Sequence, residues 1–126
     1  MKIYLSGGMR SGWQALAIAA LLVDESQVTE VFDPSALDPD NLPDGGDIGR
    51  VCAKAREDSD VILAHMEDSN PSGYLMAAEM GEGMAHGKAV VYVYGGEDKY
   101  RARLVQFSDH GFTDLAAACK YCTGVK

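Results

Sequence analysis

The sequence predicts an α/β fold: a doubly wound, mostly parallel sheet of about five strands with helices on both faces. Three observations carry this. Short apolar runs of strand length alternate with longer segments of helical composition. Parallel strands need crossover connections, so such alternation implies a parallel sheet. The runs Val61–Ala64 and Ala89–Val93 are apolar throughout, the pattern of strands covered on both sides. The length, 126 residues, fits one domain over residues 1–126, large enough to hide roughly two-thirds of the open chain's surface.

Each element follows in order. Lys2–Ser6 reads as the first strand, with Tyr4 alternating between Ile3 and Leu5. The turn Gly7-Gly8-Met9-Arg10-Ser11-Gly12 comes next, and the alanines and leucines from Trp13 to about Asp24 favour a helix. Gln27–Phe32 reads as a second strand. Asp33 to about Gly46 contains three of the four prolines and several aspartates, so it is a loop. Asp47–Asp58 forms a second helix and Asp60–His65 a buried third strand. After the loop Met66–Pro71, a third helix runs over Ser72–His86, with Ser72 as its N-cap and Gly87 in the helix-stopping position. Ala89–Tyr94 is the fourth strand, Arg103–Phe107 the fifth, and Asp114–Tyr121 a closing helix.

Composition narrows the function classes. Eleven basic against 19 acidic side chains give a formal charge of −8 and a pI near 4.7. Such a field repels nucleic-acid polymers and anionic membrane surfaces. A small anion can still be held by one local cation or by backbone N–H groups. The longest apolar run, Ala15 to Val23, is nine residues, against the ~20 that span a bilayer. Met1-Lys2 leads straight into strand-like sequence without a secretory-signal pattern. Three cysteines (Cys52, Cys119, Cys122) do not suggest a disulfide framework. The expected location is the cytoplasm.

Ligands of doubly wound folds bind beyond the carboxyl ends of the strands, where the strand order reverses. Three segments converge there: Gly7–Gly12, Met66–Gly73 and Tyr94–Glu97. In the first, Gly7, Gly8 and Gly12 can bring backbone N–H groups to a phosphate or sugar oxygen, with Arg10 the nearby cation, or can simply form a structural turn. In the third helix, Gly81 and Gly83 each cost roughly 1 kcal/mol relative to alanine, a cost that close packing on the sheet or a neighbouring helix explains. Glu79 on that helix fits either a solvated face or a pocket wall. The single Cys119-x-x-Cys122 lacks the second ligand pair of a zinc site and the early-strand position of a redox motif. No metal and no cofactor are expected.

As an ordered set these residues resemble the nucleoside 2-deoxyribosyltransferase-like family. The matching pieces are Lys2-Ile3-Tyr4-Leu5-Ser6-Gly7-Gly8-Met9, then Asp60-Val61-Ile62-Leu63-Ala64, then Pro71-Ser72-Gly73, then Ala78-Glu79-Met80-Gly81 through Gly87-Lys88-Ala89-Val90. They span roughly residues 2–94. The resemblance implies a flavodoxin-like sheet, Glu79 as a nucleophile toward a sugar, and Tyr4 as the tyrosine that hydrogen-bonds its carboxylate. Related 2′-deoxynucleoside 5′-monophosphate hydrolases hold a 5′-phosphate with the glycine turn, its arginine and a loop serine. The matching positions are Gly7, Gly8, Arg10, Ser72 and Gly73. Family sites often borrow residues from a second subunit, which implies a homo-oligomer.

One departure stands out. Transferases of the family carry a base-contacting aspartate eight residues before the position of Asp60, where this chain has Cys52. A thiol is a far weaker acceptor than a carboxylate, and Asp47 or Asp58 would have to serve from a shifted position. The partner implied is a small nucleoside or nucleotide. The first expectation is transfer of a deoxyribosyl group to another base. Hydrolysis of a nucleotide is the second, and a non-catalytic nucleotide-binding module on the same scaffold is the third.

Overall fold

A computed structural model describes residues 1–42, 46–71 and 73–126. Five strands, β1 (Lys2–Gly7), β2 (Glu30–Phe32), β3 (Val61–His65), β4 (Ala89–Val93) and β5 (His110–Phe112), form one sheet in the order β2-β1-β3-β4-β5. Every pairing is parallel. The helices are α1 (Trp13–Leu21), α2 (Ile48–Asp58), α3 (Tyr74–Ala85), α4 (Lys99–Ala102) and α5 (Leu115–Thr123). This is the flavodoxin-like order, with its reversal between β1 and β3. No helix among the described residues is long and apolar enough to cross a membrane.

The period-two alternation of the strands builds two cores. Ile3, Leu5, Val61, Leu63, Val91 and Val93 project to one face and pack with Trp13, Ala17 and Leu21 of α1 and with Ala118, Cys119 and Cys122 of α5. Tyr4, Ile62, Ala64, Val90 and Tyr92 project to the other, against Met76 and Met80 of α3 and Cys52 and Ala55 of α2. The cysteine pair of α5 is thus core packing. Burial pushes the thiol of Cys119 up to about 11 and that of Cys122 up to about 12.

Gly83 is where α3 meets the sheet: a Cβ there would lie 2.9 Å from Ile62 Cγ1 and 3.2 Å from Val90 Cγ2. Gly81, by contrast, faces open space among the described residues, so close packing accounts for only one of the two helix glycines. The helix begins at Tyr74 with Gly73 in the cap position; the expected Ser72 cap lies outside the described residues. Gly87, at φ 72°, ends it, with the Lys88 N–H donating to the Gly83 carbonyl.

Two strand expectations are corrected. Arg103–Phe107 is a 3₁₀ turn continuing α4. Only Leu104 of that segment packs on the core, while Val105 and Phe107 are exposed, so its apolar residues mark no strand face. The fifth strand is His110–Phe112, paired with Val91–Val93, and Gly111 lets it pass Val105. The second strand is Glu30–Phe32, shorter than Gln27–Phe32, because the backbone N–H groups of Gln27 and Thr29 donate to Thr123 and Met1 carbonyls instead.

Candidate functional site

The site forms at the carboxyl end of β1, beside the reversal in strand order. Tyr4 and Ser6, two residues apart, point to the same face of the sheet, toward α3. Glu79 lies on the buried side of α3 with Met76, Met80 and Gly83. The three side chains meet. Tyr4 Oη donates to Glu79 Oε2 at 2.9 Å, and Ser6 Oγ donates to Glu79 Oε1 at 2.7 Å. Relative exposures are 2% for Tyr4, 1% for Ser6 and 6% for Glu79. A carboxylate this buried needs a counter-charge or several donors.

Arg56 of α2 supplies the counter-charge. Its Nη1 lies 2.6 Å from Glu79 Oε2 and also donates to Tyr4 Oη at 3.2 Å. Its Nε donates to Glu82 Oε1 at 2.9 Å and its Nη2 to Glu82 Oε2 at 3.4 Å. The guanidinium also covers the Tyr4 ring at 5.3 Å, and that ring stacks on Phe32. The arginine is therefore fixed on two edges and one face.

These contacts set the charges. Burial, reinforced by the Glu79 charge, pushes the Tyr4 phenol well above the ordinary tyrosine range. It remains a neutral donor. Burial opposes the Arg56 charge, but hydrogen bonds to Glu82 and Tyr4 and the charge of Glu79 outweigh it and raise the arginine's pKa. The hydrogen bond from Arg56 holds Glu82 below the usual carboxylate range. Burial pushes the Cys52 thiol up, so it too stays protonated.

A cavity of about 210 Å³ opens onto this cluster. Tyr4, Ser6, Gly7, Arg56 and Glu79 line its floor, and Met9, Pro34, Ile48, Cys52, Leu75 and Met76 its walls. Among the wall residues, Met9, Ile48 and Leu75 are also solvent-exposed. Gly7, at φ 154°, lets β1 pass the edge of Trp13: a Cβ would sit 2.5 Å from the His65 carbonyl oxygen and 3.0 Å from the indole. Gly8 turns its carbonyl inward to accept from Trp13 Nε1 and Gln14 Nε2.

Arg10 does not reach the carboxylate cavity. It lines an adjoining recess of about 180 Å³ with Gly8, Met9, Ser11, Glu67, Ser69, Asn70 and Pro71, and Met9 borders both. Ser11 Oγ donates to the Glu67 carboxylate in that wall at 2.6 Å. The loop forming the recess is held from behind. Arg101 donates to the carbonyls of Glu67, Asp68 and Asn70 at 3.1, 3.0 and 2.6 Å. Tyr94 Oη donates to Asp68 at 2.9 Å. Gly73 follows the loop at φ 148°, where a Cβ would collide with Met66. Ser72 lies outside the described residues.

Asp58 is not brought to the site. It sits at the far end of α2, paired with Lys54 at 2.8 Å, and borders a separate cavity with Lys2 and Glu30 near the amino ends of β1 and β2. Asp47 caps α2, accepting from the Arg50 N–H. Cys52, eight residues before Asp60, does line the carboxylate cavity. His65, at the end of β3, makes an edge contact with Trp13 at 4.9 Å. Its Nδ1 is buried without a hydrogen-bond partner among the described residues.

Two members of the cluster, Ser6 and Arg56, escape a sequence reading that already names Tyr4 and Glu79. Each left a trace. Ser6 shares the strand face of Tyr4 by period two, and Arg56 follows Cys52 by one helical turn on the apolar stripe of α2. No protein-family model matches the chain, and no curated protein matches it.

Proposed function

We propose that the protein cleaves the N-glycosidic bond of a 2′-deoxynucleoside, or of its 5′-monophosphate, through a covalent ester on Glu79, and passes the deoxyribosyl group to another base. One observation carries the proposal: a buried carboxylate with three donors, Tyr4, Ser6 and Arg56, facing a cavity at the carboxyl end of the sheet. Breaking a C1′–N bond builds positive charge on the sugar, which an ionised carboxylate stabilises and can capture as an ester. Two displacements then retain the configuration at C1′. A 2′-deoxy sugar suits this route because it lacks the electron-withdrawing hydroxyl.

The donors divide between the two oxygens. Oε2 accepts from Tyr4 and Arg56, while among the described residues Oε1 accepts only from Ser6. A carboxylate oxygen offers two lone pairs, so Oε1 is the oxygen assigned to C1′. Tyr4, kept neutral, orients the carboxylate and does not compete as a nucleophile.

The second reading is hydrolysis of a 5′-monophosphate, with water as acceptor. The recess around Arg10, sharing Met9 with the carboxylate cavity, favours it, since a guanidinium there suits a phosphate. Cys52 in place of a base-contacting carboxylate points the same way. The test is incubation of the purified protein with deoxynucleosides and their monophosphates, with and without a second base. Base exchange only when an acceptor is present supports transfer; free deoxyribose phosphate supports hydrolysis; no release of base from any of them refutes both.

A further inference from the structure

We propose that Arg56 is a positioning residue that speeds the breakdown of the Glu79 ester, with Glu82 as its anchor; this rests on the glycosidic reading above. The two oxygens of Glu79 are held by different donors. In the first displacement a lone pair of Glu79 Oε1 forms the bond to C1′. The C1′–N pair leaves with the base, whose nitrogen takes a proton from solvent. Oε2 then becomes the ester carbonyl oxygen, still facing Tyr4 Oη and Arg56 Nη1, the donors at 2.9 and 2.6 Å. In the second displacement a lone pair of the acceptor forms the new bond to C1′, and the acceptor's proton goes to solvent. The C1′–Oε1 pair returns to Glu79, whose charge spreads over both oxygens.

A fixed cation beside Oε2 affects the two displacements oppositely. It draws charge from the attacking carboxylate, which slows ester formation, and it stabilises the carboxylate as a leaving group, which speeds ester breakdown. The strength of the second effect depends on Arg56 keeping its place while Glu79 is uncharged. Glu82 ensures this, because Nε and Nη2 stay bound to its carboxylate whatever the state of Glu79. The Tyr4 ring supports the guanidinium face throughout. Arg56 thus has one partner whose charge changes during the cycle and one whose charge does not.

The experiment compares wild type with Arg56→Met and Arg56→Lys on the common 2′-deoxynucleosides and their 5′-monophosphates, following base release on the millisecond-to-minute scale and the intact mass of the protein during turnover. In Arg56→Met, kcat falls roughly 10- to 100-fold, the loss of one charge-assisted hydrogen bond. KM falls with it, so kcat/KM changes much less. A burst of base equal to the enzyme present precedes the slow phase, and a species heavier by one deoxyribosyl group or its phosphate accumulates. Arg56→Lys recovers part of the rate.

Equal loss of kcat and kcat/KM, with neither burst nor adduct, overturns the inference and leaves the glycosidic reading standing. A wild type that releases no base from any of these substrates overturns that reading itself. Should Arg56→Met fail to fold by circular dichroism, Arg56→Lys and Glu82→Gln carry the test. Each must show a smaller burst and partial adduct, and absence of both in both variants refutes the inference.

Discussion

Tyr4→Phe isolates one hydrogen bond within a buried cluster. The substitution removes the phenol oxygen and nothing else, so the ring keeps its stacking on Phe32 and its place beneath Arg56. Two contacts disappear: the donation to Glu79 Oε2 at 2.9 Å and the acceptance from Arg56 Nη1 at 3.2 Å. Neither charged partner is stranded, because Arg56 and Glu79 remain 2.6 Å apart. A hydrogen bond to a charged group contributes roughly 1.5–3 kcal/mol, and with the direct ion pair intact the stability loss falls at the low end, about 1.5–2 kcal/mol. The rate effect is larger. Oε2 of the departing carboxylate loses one of two donors, and a 1.5–3 kcal/mol effect corresponds to roughly 10- to 150-fold in kcat. Denaturant unfolding reads the first quantity and initial rates of base release the second. A variant with the full rate of wild type would refute the claim that the phenol orients or stabilises the carboxylate. A loss of 4 kcal/mol or more, on the order of a broken buried pair, would show that Arg56 and Glu79 do not hold each other without it.

Three further outcomes are expected. Burial lowers the His65 pKa from its ordinary value of 6.5, so below that value the unfolded chain binds the proton more readily. This contribution to stability is therefore fully present above pH 6.5 and declines as pH falls from 6.5 toward the folded pKa. His65→Phe, which keeps a ring against Trp13, should flatten that slope in pH-dependent unfolding, and an unchanged slope would exclude His65 as its source. Arg10→Ala should raise KM for a 5′-monophosphate about tenfold or more while leaving the unphosphorylated deoxynucleoside nearly unaffected; equal effects on both would remove the recess from phosphate binding. Gly83→Ala should destabilise by about 1–3 kcal/mol through overpacking against Ile62 and Val90, whereas Gly81→Ala, in open space among the described residues, should be neutral or stabilising by denaturant unfolding.

What the sequence made readable was the part encoded by local pattern. Continuous apolar runs placed β3 and β4, and Asp47, Asp114 and Gly87 marked helix ends that the structure bears out. The fifth strand was not legible: His110-Gly111-Phe112 carries little apolar signal, and its role depends on edge pairing with β4. The preceding Leu104, Val105 and Phe107 mimic a strand and instead wind into a 3₁₀ turn. At the site, Tyr4 and Glu79 stand 75 positions apart, and nothing in the local pattern links them; only the family resemblance sets them side by side. Arg56 looks like an ordinary cation in the last turn of a helix, where it complements the dipole. Only the packing of α2 beside α3 turns it inward toward two glutamates. Asp58, the last residue of the same helix, pairs with Lys54 and lies away from the cluster.

Glu79→Gln asks whether the Glu79 carboxylate attacks C1′. The amide matches the carboxylate in shape and can still accept from Tyr4, and Arg56 keeps Glu82, so the fold should survive by circular dichroism. Base release from 2′-deoxynucleosides and their 5′-monophosphates, measured by chromatography beside the wild type, should drop below detection. Release at a rate within about tenfold of wild type would rule out Glu79 as the nucleophile, because a neutral amide cannot form the ester.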